Sequence, residues 1–403
     1  MTDALLSGLV EDARSYAEAA IALRREIHRE PELGLDNPST QHKILNALDG
    51  LGLEISTGSG LSSVVADLVG GRPGPTIMLR ADTDALPMPE ESGEPFSSAI
   101  EGRAHSCGHD AHVAMLVGAA RLLCARRAEI PGRIRFIFQP GEEGPGGAAV
   151  MIDEGVLDGV DAAFAIHISP NLPTGWVSSR PGPLMAATDD FEITITGKGA
   201  HASTPHFGND PIPVACEVVT ALQTFVTRRV DIFSPVVLTV GKFESGTRHN
   251  IIPESAYMEG TIRTVSEWTR LSATTGLERV ANGVAAAHDC SAHVSQRRGY
   301  PVTSNHAEFV AFGETIAREL FEDHYFELPL PVMGAEDFSL FLEQVPGAMF
   351  LLGACPADIS DSLSAPSCHS NLMRLNEDCI EMGIALHAGV ALAFLEEHAD
   401  RSS

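Results

Sequence analysis

An α/β fold in two unequal domains, a catalytic-type layered domain interrupted by a ferredoxin-like satellite, is what this sequence predicts, and three observations carry the prediction. Segments that read as strands alternate with segments that read as helices up to about residue 185 and again from about residue 303, a rhythm that indicates a central sheet flanked by helices. Between those limits the order is β-α-β-β-α-β, the ferredoxin-like sequence, complete in itself and able to fold as an insertion with its ends close together. The length, 403 residues, exceeds what one compact core usually fills. The expected domains are therefore 1–185 with 303–403, and 186–302 between them.

In chain order, MTDALLSGLVEDARSYAEAAIALRREIHRE is amphipathic, with acids and arginines throughout, and reads as a helix of the mature protein rather than an apolar leader. NPSTQHKILNALDG is framed as a second helix by its polar start and glycine stop. SSVVADLVG and PTIMLRAD read as a strand pair around a Gly-Arg-Pro-Gly-Pro turn. DAHVAMLVGAARLLCARRAEI is a helix, PGRIRFIFQP a buried strand, GAAVMIDEGVLDG helix and turn, and VDAAFAIHIS a strand. The insertion runs FEITITGKG (strand), DPIPVACEVVTALQTFVTRRV (helix), SPVVLTVGKFESG and ESAYMEGTIRTV (strands), SEWTRLSATTGLERVANGVAAAHDC (helix) and SAHVSQRRG (strand). Alternation resumes with EFVAFGETIARELF, VMGAEDFSLFLEQV, AMFLLG and a last helix ending GIALHAGVALAFLEEH.

Composition excludes several function classes. With 44% apolar and 20% charged residues the chain has the balance of a folded globular protein. A formal net charge of -27 argues against nucleic acid and anionic membranes as partners, because both require clustered Lys and Arg. No charge-free apolar run of about 18 residues occurs, so no membrane span is expected and the protein reads as soluble. Seven cysteines at irregular spacing do not form a disulfide framework and point to a reducing cytoplasm. Cys124, Cys216, Cys290 and Cys379 lie in apolar helical patterns and read as buried filler; Cys107 and Cys368 differ because histidines adjoin them.

Five segments carry chemistry. HSCGHDAHVAM crowds His105, Cys107, His109, Asp110 and His112 just before a long helix, and a Cys-x-His pair there can aim two zinc-type ligands into one pocket; the plainer reading is a polar turn capped by Asp110. RFIFQPGEEGPGG runs from a strand into a loop bearing Glu142 and Glu143, so one carboxylate can ligate while its neighbour acts as general base; the alternative is a solvated acidic loop. AFAIHIS places His167 in an apolar strand, and APSCHSNLM places His369 before the last helix. A lone strand histidine is usually a core residue, but strand ends of an α/β sheet converge on one crevice. TIMLRADTDALPMPE ends a strand with Asp82 and Asp84, either of which could orient a ligating histidine or merely cap a turn. In the insertion, Arg263 of GTIRT could bind a carboxylate through its guanidinium fork or simply face outward from its strand.

In this order, and with RREIHREPELG, GKGAHASTPHFGNDPI, RHNIIPESAYMEGTIRT and MGAEDFS, these segments resemble the M20 family of metallopeptidases and amidohydrolases, in its aminoacylase, hippurate hydrolase and indoleacetyl-amino-acid hydrolase branch, over almost the whole chain. The resemblance implies that Cys107, His109, Glu143, His167 and His369 hold two divalent ions, zinc or manganese with cobalt or nickel as further options, and that Glu142 is the general base. Asp84 matches the family's aspartate behind the ligands, and His201 and Asn250 match positions that bind substrate, the histidine polarising the scissile carbonyl. Much of the family has a ligating histidine where this chain has Asp82; the cysteine-bearing branch supplies Cys107 instead. The implied reaction is hydrolysis of N-acyl amino acids to a carboxylic acid and a free amino acid. A dipeptidase, an aminopeptidase or an N-acetyl-diaminopimelate deacetylase remains open within the family, and a binding protein with a structural zinc site outside it. By analogy, a ferredoxin-like edge strand could pair with a second copy in a homodimer.

Overall fold

The computed structural model describes residues 6–144 and 146–399. MTDAL, read above as the start of the first helix, lies outside the described residues, as does Pro145 of the glycine-rich loop. The chain divides into two compact units, a larger one formed by the segment up to Gly182, Ser304–Pro329 and the segment from Leu340, and a smaller one formed by Pro183–Thr303 and Leu330–Ser339. Residues 330–339, expected in the larger unit, thus group with the smaller one.

The larger unit opens with α1 (Leu9–Arg29), α2 (Pro38–Leu48), β1 (Glu54–Thr57), β2 (Val64–Val69), β3 (Arg72–Asp82), α3 (His109–Ala125), β4 (Pro131–Gln139), α4 (Gly147–Asp153), β5 (Ala162–Ser169) and β6 (Val177–Ser179). The smaller unit contributes β7 (Ala187–Thr196), α5 (Pro211–Arg229), β8 (Val236–Ser245), β9 (Ser255–Thr264), α6 (Glu267–Ala287) and β10 (Ser291–Arg298). The larger unit then resumes with α7 (Ala307–Phe321), β11 (Tyr325–Glu327), β12 (Gly347–Gly353) and α8 (Cys379–His398). Of VMGAEDFSLFLEQV, only Ser339–Leu342 is helical.

One eight-stranded sheet, in the order β1-β2-β4-β3-β5-β12-β6-β11, organises the larger unit. β4, β3, β5 and β12 form a parallel block, while β2 runs antiparallel to β4 and β6 to β12. The expected pairing of β2 with β3 is therefore wrong. β4 lies between them, because a strand as apolar as Ile134–Phe138 is stable only with neighbours along both edges and cover on both faces. The alternate side chains Phe164, Ile166 and Ile168 of β5 join the main core, which leaves His167 on the opposite face.

Helices cover this sheet. α1 buries Leu9, Ala13, Ala20, Leu23 and Ile27 along one stripe, with Glu11 and Asp12 at its N-terminus and His28 and Arg29 at its C-terminus, as the helix dipole favours. α3 and α8 are buried almost all round and pack against each other, against α1 and against β3. α8 is long and apolar enough to cross a membrane, but 83% of its most apolar window is buried within the protein, which marks it as a core helix.

In the smaller unit the sheet order is β8-β9-β7-β10, antiparallel throughout. α5 and α6 share one core with it through Val214, Val218, Leu222, Leu277, Phe191, Ile193 and Met258. Asp210 and Ser266 cap the two helices by accepting from the Ile212 and Thr269 amides. This is the ferredoxin-like arrangement expected from the element order. Cys216, read as buried filler, is exposed on α5.

Candidate metal centre

Parallel strands end on the same side, so β3, β4 and β5 deliver their C-terminal residues to one edge of the larger unit's sheet. β3 ends in Asp82 and leads to Asp84; β4 leads through Pro140 and Gly141 to Glu142 and Glu143; β5 brings His167. α3 begins at His109, with Cys107 just before it. The turn between them needs a glycine: Gly108 has φ 90°, and a Cβ there would come within 2.5 Å of Ile168 Cγ1.

The five expected ligands do come together. Cys107 with His109 and His167, Cys107 with Glu143 and His369, and His109 with Glu142 and Glu143 each place one ligand atom per residue within 4.8 Å of the others. Cys107 Sγ lies 3.5 Å from His167 Nε2, His369 Nε2 lies 3.1 Å from Glu143 Oε1, and His109 Nε2 lies 3.8 Å from that same oxygen. The donor set suits divalent cations. His109 gives its Nδ1 hydrogen to the Asp84 main-chain carbonyl at 2.8 Å, and His167 gives its own to the Ile168 carbonyl at 2.7 Å. Both rings therefore turn an Nε2 lone pair toward the cluster. His109 Nε2 is fully buried without a hydrogen-bond partner, an arrangement that costs about 1–3 kcal/mol unless a cation takes up the lone pair.

His369 reaches the cluster from the far end of the sequence. Its amide donates to the Ser106 carbonyl at 2.7 Å, and its backbone is left-handed, with φ 69°. Such a conformation costs a non-glycine residue about 1 kcal/mol or more and collects at functional sites. The Glu143 carboxyl is held below its ordinary value: burial opposes this, but His369 and His109 outweigh it.

Asp84 departs from expectation. Its carboxylate does not hydrogen-bond a histidine; Oδ1 stands 3.7 Å from His109 Nδ1, which instead uses the Asp84 main-chain oxygen. The carboxylate accepts the Glu142 amide at 2.9 Å and the Glu143 amide at 3.0 Å, so it shapes the loop that presents both glutamates.

Behind this edge stand Asp82, expected to orient a ligating histidine or cap a turn, and residues that sequence reasoning left unassigned. Asp82 accepts from Arg80 at 2.5 Å and from His112 Nδ1 at 2.6 Å, all three side chains being buried. His112 Nε2 in turn accepts the Ile168 amide at 2.9 Å. Both ring nitrogens of His112 are thus engaged, and burial, only partly offset by Asp82, pushes its pKa down to about 4. His112 is a buttress and not a ligand, although Asp82, His109 and His112 form a compact group. In the first turn of α3, Asp110 forms an ion pair with Arg24, its carboxylate 2.9 Å from Nε, and accepts from His28 Nδ1 at 2.8 Å. The signal for His112 was present in its spacing, three residues after His109 and so on the same helix face.

In the smaller unit, His201 pairs with Ile251 on a two-stranded ribbon, and the Ala202 amide donates to the Asn250 carbonyl at 3.2 Å. His201 and Asn250 are therefore neighbours. His201 Nδ1 accepts the Ser203 amide at 3.1 Å, which leaves the hydrogen of the neutral ring on Nε2. Arg263 is half-buried on the central strand β9, and burial lowers its pKa against the pull of Asp190 and Asp189.

Comparison with known proteins gives the family. The model of peptidase family M20/M25/M40 matches residues 78–393. Thermostable carboxypeptidase 2 of Saccharolobus solfataricus is 39% identical over 97% of this chain and 99% of its own length. The N-acetylcysteine deacetylase of Bacillus subtilis is 36% identical over 95% of this chain and 98% of its own. Among solved structures, Bacillus subtilis YXEP, described as a dinuclear metal-binding peptidase of the M20 family, superposes with a TM-score of 0.82 at 34% identity, covering 95% of this chain and 99% of that one. A cysteine-histidine-glutamate cluster at the sheet edge, a ferredoxin-like second unit and a family match across most of the sequence converge, and the chain belongs to the M20/M25/M40 peptidase family.

Proposed function

We propose that this protein is a dinuclear metal-dependent amidohydrolase that cleaves N-acyl amino acids to a carboxylic acid and a free amino acid. The observation that supports this most is the placement of two adjacent carboxylates, Glu142 and Glu143, on a loop held by Asp84 beside Cys107, His109, His167 and His369. Those five ligands, counting Glu143, would hold two divalent cations; their mixed thiolate, imidazole and carboxylate character suits zinc, manganese, cobalt or nickel. Such cations supply Lewis-acid polarisation of a carbonyl and lower the pKa of water. A closed structural zinc site would use four Cys or His ligands and would have no use for a pair of glutamates.

Glu142, buried at the sheet edge, takes the proton from the attacking water and passes it to the departing amine nitrogen. Asp84 keeps Glu142 and Glu143 in register, and the larger unit is the catalytic domain. In the satellite, His201 donates its Nε2 hydrogen to the substrate carbonyl, and either its neighbour Asn250 or Arg263, which lies toward the other end of β9, holds the carboxylate of the amino-acid half. The partner is a small N-acyl amino acid, in a cytoplasmic enzyme that forms homodimers through the satellite's sheet edge.

The carboxypeptidase relative supports a second reading, in which the acyl half is a peptide and the bond cleaved is still the amide next to a free carboxylate. A panel of N-acetyl and N-benzoyl amino acids against dipeptides, assayed with defined metals, separates the two. In that assay Glu142→Gln should lower kcat by roughly 10²–10⁴-fold with metal content intact. Near-normal turnover by this variant would sink the assignment of the base.

A further inference from the structure

The functional reading leaves one sulfur beside the cluster without a role. Cys368, half-buried, precedes His369, and its Sγ lies 3.7 Å from the Cys107 carbonyl oxygen. The bond from the His369 amide to the Ser106 carbonyl ties the two loops together one residue from each cysteine. A disulfide needs its two Cα atoms about 4.4–6.8 Å apart, a span that two loops joined this close to both cysteines can meet. The two thiols interact side chain to side chain, and both are free.

We infer that Cys107 and Cys368 form a redox-modifiable dithiol, closed to a disulfide by peroxide, that withdraws the cluster's sulfur ligand. The step balances as a two-electron oxidation. The Cys368 sulfur attacks one peroxide oxygen, the O–O bond breaks, and a sulfenic acid and water form; the Cys107 sulfur then displaces hydroxide from that sulfenic sulfur, which leaves as a second water after gaining the thiol proton. Two thiols are oxidised and one peroxide is reduced. A thiol reductant reverses the change.

The consequence follows from the shared position of Cys107. It belongs to the group with His109 and His167 and also to the group with Glu143 and His369, so loss of one thiolate weakens both. This consequence for cations rests on Cys107 being a ligand, as proposed above; formation of the disulfide does not. The pair is reduced in a reducing compartment and closes when peroxide rises, a reversible brake on the hydrolase.

The test uses the full-length, zinc-loaded protein treated with stoichiometric hydrogen peroxide, with zinc release followed by a chromogenic chelator and thiols by peptide mass mapping. The expected result is a cross-linked peptide pair carrying Cys107 and Cys368, lighter by two hydrogens, formed together with zinc release and reversed by dithiothreitol. Cys368→Ser and Cys368→Ala should both lose the cross-link and the reversible release, while a circular dichroism spectrum like that of the parent shows that they fold. No cross-link in the parent, or zinc released from both variants as fast as from the parent, overturns the dithiol. A cross-link formed while zinc stays bound upholds the pair and overturns Cys107 as a ligand, so the two failures are distinguishable.

Discussion

Asp84 Oδ1 accepts the backbone amide of Glu142 at 2.9 Å, and its second oxygen accepts that of Glu143 at 3.0 Å. A carboxylate is needed for this because it alone offers two acceptors to two amides. Asp84→Asn turns one acceptor into a donor facing an N–H. Turnover or metal affinity should fall by about 10–100-fold, as for other residues that orient ligands, with a loss of about 1–3 kcal/mol in stability. Steady-state kinetics with metal analysis checks this; a variant with parental kcat/KM would show that the loop holds its shape without Asp84.

His112 joins Asp82 to the Ile168 amide through its two ring nitrogens. His112→Ala leaves the buried Ile168 amide unpaired and takes one of two partners from Asp82, which keeps Arg80, at about 1–3 kcal/mol for each lost bond. Urea unfolding should show that loss, while metal analysis at saturating zinc shows the parental stoichiometry. A variant that binds one ion fewer would make His112 a ligand after all.

Chelation would leave the buried His109 Nε2 without the cation it is placed to meet. Dialysis against a chelator should abolish hydrolysis and lower the thermal midpoint, and added zinc or manganese should restore both. A ligand at a hundred times its Kd stabilises the folded state by ~2.7 kcal/mol. A midpoint indifferent to chelator and to added metal would contradict cation binding by the folded chain.

His28 carries a pH dependence. Burial opposes its charge, but Asp110 at 2.8 Å and Glu90 at 3.1 Å outweigh burial and raise its pKa from 6.5 to about 9. A raised folded-state pKa gives stability that is complete below about pH 6.5, the unfolded value, and is lost as pH rises toward 9. The swing is on the order of 1–3 kcal/mol. Unfolding midpoints taken from pH 6 to 9.5 should fall more steeply for the parent than for His28→Gln; parallel curves would remove His28 from the account.

Much of the site was legible because ligand chemistry is local in sequence. The Cys-x-His pair and the adjacent glutamates each occupy one short segment, and element rhythm marked the strand ends that carry them. What escaped depends on distances that sequence does not encode. Cys368 and Cys107 meet across 261 positions, and Arg24, His28 and Asp110 meet across two helices. Asp84 was recognised as a helper, but whether a histidine chooses its side chain or its main-chain oxygen depends on a loop rotamer. The misread pairing of β2 with β3 has the same origin: adjacency in sequence favoured a hairpin, while the apolar β4 required both neighbours.

β5 and β6 follow one another in the chain but are separated in the sheet by β12, residues Gly347–Gly353. A ribosome therefore delivers β5 with one backbone edge open and keeps it open through the synthesis of some 180 further residues, the whole ferredoxin-like unit among them. An unpaired edge of that apolarity is a template for pairing with other chains. The nascent protein thus depends on the late arrival of a seven-residue strand both to seal its sheet and, sixteen residues further on at His369, to finish its ligand set.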